Sequence, residues 1–361
     1  MPNNPIHNVL VVGGYGTIGQ MVCTRLCRQL TGDVIVAGRT LEKARRFAAT
    51  ADGLRPARVD ATDPSTFADA LQGVDAVVMC LDADDSALAE ACFRRGIHYV
   101  DVSPTDALLR EVEACDDMAR AHGAVGLLSV GLSPGITNLF VTESARRFDT
   151  VWRVDITLLL GLGEAFGPDT IKWTIEDALR PFSTEEHGHV RRIQPFSERR
   201  TVDLPGWGRR RAYRVNLADQ HVLMRTTDLP AVATRLCYSS RLVTAYVALL
   251  NRMGLFRPLA STLGADRVTA FVKMLPFGAD ESVIQTEVTG VLNGKRGTRT
   301  RWVRGTDQAA ATACVASAAV RQLHRMTVEG GVYHLHEQFA AKPFVNAIQG
   351  AGYAVDGYVT Q

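Results

Sequence analysis

The feature that most constrains this chain is a glycine loop set between two regular segments. Val9-Leu10-Val11-Val12 is a continuous apolar run, and Gly13-Gly14-Tyr15-Gly16-Thr17-Ile18-Gly19 follows it directly. Met21, Val22, Leu26 and Leu30 then recur with helical spacing. Gly14, Gly16 and Gly19 fit G-x-G-x-x-G in the strand-to-helix setting that this motif needs. Read this way, Gly14 permits the tight turn, Gly16 lets the backbone approach a pyrophosphate, and Gly19 allows close helix packing. The helix start supplies free N–H groups and partial positive charge for an anion. Tyr15, Thr17 and Ile18 lie between these glycines and join them as expected dinucleotide contacts. A glycine-rich turn without a ligand is the bland alternative.

The end of the next strand bears on which dinucleotide. Val34-Ile35-Val36-Ala37 runs into Gly38-Arg39-Thr40, with no carboxylate. An NAD site usually has an acid there for the ribose 2′-hydroxyl. A guanidinium and a hydroxyl instead suit a 2′-phosphate, because Arg donates a bidentate, charge-assisted pair. NADP(H) is therefore the expected cofactor and NAD the weaker one, held by Arg39 and Thr40, with Lys43 one turn later. Arg39 stacked on adenine without reading a phosphate is the competing explanation. Asp60, after the third strand, and Leu81, after the fourth, complete the expected cofactor contacts.

The rest of the first third repeats the strand-helix alternation. Strands are expected at 58–60, 75–80, 98–100 and 125–128, with helices at 41–50, 64–71, 86–95 and 115–122. Such alternation predicts a doubly wound parallel sheet. After Pro134 the texture changes. Longer strands are expected at 151–160, 199–204, 212–217, 232–238, 283–291 and 298–303, with Asn293-Gly294 as a hairpin turn. Helices follow at 241–252, 308–327 and 339–350. The predicted fold is α/β: an N-terminal Rossmann sheet followed by a second α+β domain on a mostly antiparallel sheet. The expected domains are 1–130 for dinucleotide binding, 131–305 for substrate and dimerisation, and 306–361 as C-terminal helices and a strand packing back near the first domain. Residues 163–168 and 187–197 read as mobile loops.

Composition removes several function classes. The 361 residues carry 40 basic and 38 acidic side chains, a formal charge of +2, so nothing points to nucleic acid or a membrane surface. The start has no leader pattern, no apolar stretch reaches about 20 residues, and the seven cysteines form no CxxC pair. Reduced thiols in a cytoplasmic protein are expected.

Three later segments carry a family resemblance. Gly96-Ile97-His98-Tyr99-Val100-Asp101-Val102-Ser103 resembles the G-x-x-Y-x-D-x-S/T stretch of saccharopine dehydrogenase-like enzymes. Gly131-Leu132-Ser133-Pro134-Gly135-Ile136-Thr137-Asn138 resembles their G-x-x-P-G turn, and 331–352 their closing strand and helix. The resemblance implies hydride transfer between NADP(H) and the C–N bond of an amino-acid-like or amine substrate, in a homodimer. A dinucleotide-binding regulator or scaffold without turnover is the alternative. Short-chain dehydrogenases, whose glycine spacing Gly13, Gly16 and Gly19 also fit, are disfavoured because no tyrosine has a lysine four residues later.

Ligands of a doubly wound sheet bind outside the carboxyl ends of its strands. Asp101 and Tyr99 are the expected catalytic pair, with Asp101 orienting or protonating an amine; a turn-capping Asp101 and a packed Tyr99 are the plain readings. Ser103, Pro134 and Asn138 are expected at the substrate, as are Lys172 and Trp173, a scarce lysine beside an aromatic. His187 with His189, and His334 with His336, alternate as on a strand, but lack a third ligand, so no metal is expected. The arginines at 191–192, 199–200 and 209–211 read as a solvated face, with an edge for an acidic substrate or a nucleotide as the alternative.

Overall fold

The computed structural model describes residues 6–162, 180–255 and 279–360. The expected substrate contacts Lys172 and Trp173, and the expected loop at 163–168, lie outside these. The chain divides into two compact units, Met1–Leu139 with Ala309–Ala351, and Phe140–Gln308 with Gly352–Gln361.

In the first unit, β1 (Val9–Val12), β2 (Val34–Gly38), β3 (Leu54–Arg58), β4 (Ala76–Met79), β5 (His98–Asp101) and β6 (Val125–Leu128) form one parallel sheet. A seventh strand, Gly331–His334, adds to it parallel to β6. The order is Gly331–His334, β6, β5, β4, β1, β2, β3. The strand order reverses between β1 and β4, and such switch points are where doubly wound sheets bind ligands. β1, β4 and β6 are buried at every position, as expected of strands covered on both faces. Helices α1 (Thr17–Cys27) and α2 (Leu41–Ala48) connect β1 to β2 and β2 to β3. The helix Asp106–Glu113, which hydrophobic periodicity did not reveal, follows β5.

The third strand lies four residues earlier than expected, at Leu54–Arg58 rather than 58–60. Only Leu54 within it is buried, so it lacks the apolar run that marks the others. As the outer strand of the sheet it tolerates Pro56, which has no N–H to donate.

The second unit holds a mixed sheet. Its strands are β7 (Thr150–Leu160), β10 (Arg200–Leu204), β11 (Gly208–Arg214), β12 (Val232–Tyr238), β13 (Ser282–Leu292) and β14 (Lys295–Gly305). With β15 naming Gly331–His334 of the first sheet, the last strand is β16 (Ala354–Thr360). The order is β10-β11-β12-β7-β13-β14-β16, antiparallel except for β12 on β7. Asn293 and Gly294 have φ of 52° and 73°, as a two-residue hairpin turn between β13 and β14 requires. β11 begins four residues before the expected 212, because the run of three arginines hid it. The expected loop at 187–197 is largely a hairpin: β8 (Phe182–Glu186) pairs with β9 (His189–Ile193) through a turn at His187 and Gly188.

The arginines of this region do more than face solvent. Arg214 is 1% exposed and meets Glu186 at 2.7 Å. On β7, Asp155 is held by Arg235 at 2.5 Å, Arg153 at 2.8 Å and Arg200 at 2.9 Å. Removing one partner of such a buried set leaves an uncompensated charge, typically at a cost of about 3–5 kcal/mol. Among the described residues no helix is long and apolar enough to cross a membrane.

Candidate functional site

The glycine loop follows directly from β1. Gly13 takes the left-handed conformation, with φ +75°, so the tight turn falls one residue earlier than the motif reading assigned it. Gly14 is needed for space: a Cβ there would lie 2.7 Å from the Val11 carbonyl oxygen. Its N–H donates to the Ala37 carbonyl at 2.9 Å, tying the loop to β2. A Cβ on Gly19 would lie 2.1 Å from the Gly13 oxygen, so the helix can approach the strand end only without one. Gly16 and Thr17 are exposed. The N-cap of α1 makes no side-chain hydrogen bond and its first turn has no acidic residue. The amides there are thus open to an anion, and the helix dipole favours one. Leu81, 39% exposed, packs over Gly13 from the end of β4.

The end of β2 is organised around Tyr15. Its ring lies so close to Gly38 that a Cβ there would be 2.6 Å away, and its hydroxyl accepts the Thr40 N–H at 3.1 Å. Arg39 and Lys43 are exposed beside it. The Asp60 carboxyl sits two residues past β3, where it accepts from the Thr62 hydroxyl at 2.9 Å and amide at 3.2 Å. The Thr62 hydroxyl, the Thr62 amide and the nearby Arg39 and Arg58 lower its pKa.

At the carboxyl end of β5, Tyr99 and Asp101 share a face, being two residues apart on a strand. The Tyr99 hydroxyl donates to Asp101 Oδ2 at 2.8 Å, and the Ser103 N–H donates to Oδ1 at 2.6 Å. Asp101 has no exposed surface and Tyr99 very little. Burial raises the Asp101 pKa to about 6, against the lowering effect of Ser103 and Tyr99, with Asp82 raising it further. Burial and the neighbouring Asp101 push the Tyr99 hydroxyl well above its usual range. The exposed carboxylate here is Asp82, after β4. It accepts from the Ser103 hydroxyl and from Thr105 Oγ1, the latter at 2.7 Å.

The structure adds a group at the next strand ends that sequence reading missed. Ser129 follows β6 with φ 57° and bonds His334 Nδ1 at 2.8 Å, while His334 Nε2 meets Glu113 at 2.8 Å. All three belong to the first unit. His334 ends its strand and His336 lies in the helix Leu335–Gln338, so the two do not share a strand face as their spacing suggested. Nor do His187 and His189, of which the first is in a turn. Pro134 and Asn138 are buried, the latter accepting from the Thr137 hydroxyl at 3.2 Å. Among the described residues no group of three His, Cys, Asp or Glu side chains is placed to hold a metal.

Residues 9–127 match the family model described as the saccharopine dehydrogenase NADP binding domain. The match lies within the first unit. The model's domain is described as NADP-binding, and the residues present fit that cofactor: a crowded glycine turn, an uncapped α1 start, and Arg39 with Thr40 where an acid would favour NAD. No curated protein matches the chain. Among solved structures, apo saccharopine dehydrogenase (L-Glu forming) from Saccharomyces cerevisiae superposes with a TM-score of 0.69 at 14% identity, over 98% of this chain and 100% of that one. Diaminopimelate (DAP) dehydrogenase of C. glutamicum in complex with DAP gives 0.50 at 18%, over 95% and 96%. An engineered D-amino acid dehydrogenase bound to NADP+ gives 0.50 at 17%, over 94% and 96%. At these identities the likeness is one of fold.

Proposed function

We propose that this saccharopine dehydrogenase-like protein is an NADP-dependent oxidoreductase acting on the C–N bond of an amino-acid-like substrate. One observation carries the reading. The glycine loop of β1 and the polar network of Asp82, Asp101, Ser103 and Thr105 stand at the carboxyl ends of the neighbouring strands β1, β4 and β5. Two of the similar folds belong to proteins named as dehydrogenases of saccharopine and diaminopimelate, both amino acids. When bound, the nicotinamide supplies or accepts the hydride.

The chain's own residues do the rest. Amides at Thr17 and Ile18 hold the pyrophosphate, with the Gly16 N–H kept for the Gly13 carbonyl at 2.8 Å, while Tyr15, Arg39 and Thr40 hold the ribose phosphate end. Leu81 keeps the loop covered. Asp82, an exposed carboxylate held by two hydroxyls, offers the substrate ammonium an acceptor, and Ser103 Oγ stands beside it. Asp101 and Tyr99 were expected to act on the amine directly. With both Asp101 oxygens bonded inside the chain, its role here is positioning: it fixes the Ser103 backbone and so the hydroxyl that meets Asp82. Pro134 and Asn138 line the same reading on the substrate side, in a cytoplasmic homodimer.

The experiment is NADPH oxidation by the full chain with amino acids paired with oxo-acids or aldehydes. Turnover with at least one such pair, and none with the oxo compound alone, is expected. Tight NADPH binding without turnover on any pair would instead identify a catalytically silent binding protein.

A further inference from the structure

A second basic site lies in the first unit, away from the glycine loop. Three helices, α1, Gln308–Arg325 and Lys342–Gln349, enclose a cleft of about 590 Å³. Four cations line it: Arg25, Arg321, Arg325 and Lys342. Gln29 and Asn346 add neutral donors, and Ser317, Ala318 and Ala347 form a floor of small side chains. No carboxylate lines the cleft. The four cations make no ion pair with any described residue, although the whole chain is nearly neutral at +2.

Two features separate this from an ordinary solvated face. Cations at helix C-termini complement the helix dipole, which accounts for Arg25 and Arg325 without a ligand. It does not account for Lys342, the first residue of its helix, where the dipole disfavours positive charge. Nor does it account for Arg321, which stands before the last turn of its helix and lines a cleft that holds no carboxylate.

We propose that this cleft binds a small polyanion, a molecule carrying two or more phosphate or carboxylate groups. The volume suits a metabolite-sized ligand, since such sites span about 300–1,000 Å³. Arg25 lies nine residues along α1 from Gly16, about 13 Å at the helical rise, so the site is separate from the amides that hold the pyrophosphate. It does not depend on the reaction proposed above.

The test titrates the full chain, saturated with NADPH, with pyrophosphate in one arm and citrate in the other, by calorimetry and thermal shift. Saturable binding in at least one arm is expected, and the arms distinguish a phosphate from a carboxylate ligand. The double variant Arg321→Gln with Lys342→Gln should weaken it at least about tenfold, because charge-assisted contacts are lost, while its NADPH affinity stays at the wild-type value and so reports an intact fold. Arg39→Ala should leave polyanion affinity unchanged. No binding in either arm, or equal binding by wild type and double variant, overturns the proposal.

Discussion

Asp101 sits between opposing demands. Burial favours its neutral form, while the Tyr99 hydroxyl and Ser103 N–H favour the carboxylate, and the balance leaves its pKa at about 6 instead of the ordinary 3.8. A carboxyl whose folded value exceeds its unfolded one stabilises the fold fully below the unfolded value, and loses that contribution as pH rises through the folded one. Wild-type stability relative to Asp101→Asn should therefore fall by about 2 kcal/mol between pH 4 and 7, read by urea unfolding across that range. If Asp101 positions the reacting groups, the substitution should also remove a bend near pH 6 from the rate profile and leave NADPH affinity alone. A purely structural Asp101 would move stability and not the bend. Arg39 makes a separate claim. Arg39→Ala should weaken NADPH by about 1.5–3 kcal/mol, roughly 10–150-fold, and NADH little. Equal weakening of both would remove the phosphate role. Tyr99, Asp101 and Ser103 were legible because a strand's alternation places them together. The Glu113–His334 contact was not, since 221 residues separate its partners and only tertiary pairing of β15 with β6 joins them.

Elements were legible where one physical signal dominated. β1, β4 and β6 are short, wholly buried and apolar, so their positions follow from hydrophobicity alone. β3 and β11 were displaced because edge position and arginine content override the apolar signal. β16 was missed: six of its seven positions are exposed or nearly so, and its partner β14 is distant in sequence. The glycine loop shows how far a motif reaches. It fixed which residues must lack a side chain, but the positive φ falls on Gly13. Gly19 provides the sharpest test. Its missing Cβ faces a backbone carbonyl at 2.1 Å, which no side-chain movement relieves. Gly19→Ala should cost about 1–3 kcal/mol or more in denaturant unfolding and weaken both NADPH and NADH. Unchanged stability and affinity would mean that α1 is free to shift away from β1.

At the scale of the molecule, the parallel sheet with its switch point beside β1 was foreseeable from alternation, and the second sheet from its longer strands and the Asn293-Gly294 turn. The substrate was not foreseeable, because the groups that would contact it come from strand ends and from residues far apart in sequence. In the proposed reaction the hydride reaches a carbon bonded to nitrogen. The decisive experiment runs the reaction with NADPH dideuterated at the nicotinamide C4, so that either face delivers label, using the substrate pair found by turnover, and locates the label by mass spectrometry and NMR. One deuterium on the product carbon that bears nitrogen is expected. Label on a carbon bearing only oxygen, or NADPH consumed with no label in the product, would contradict it.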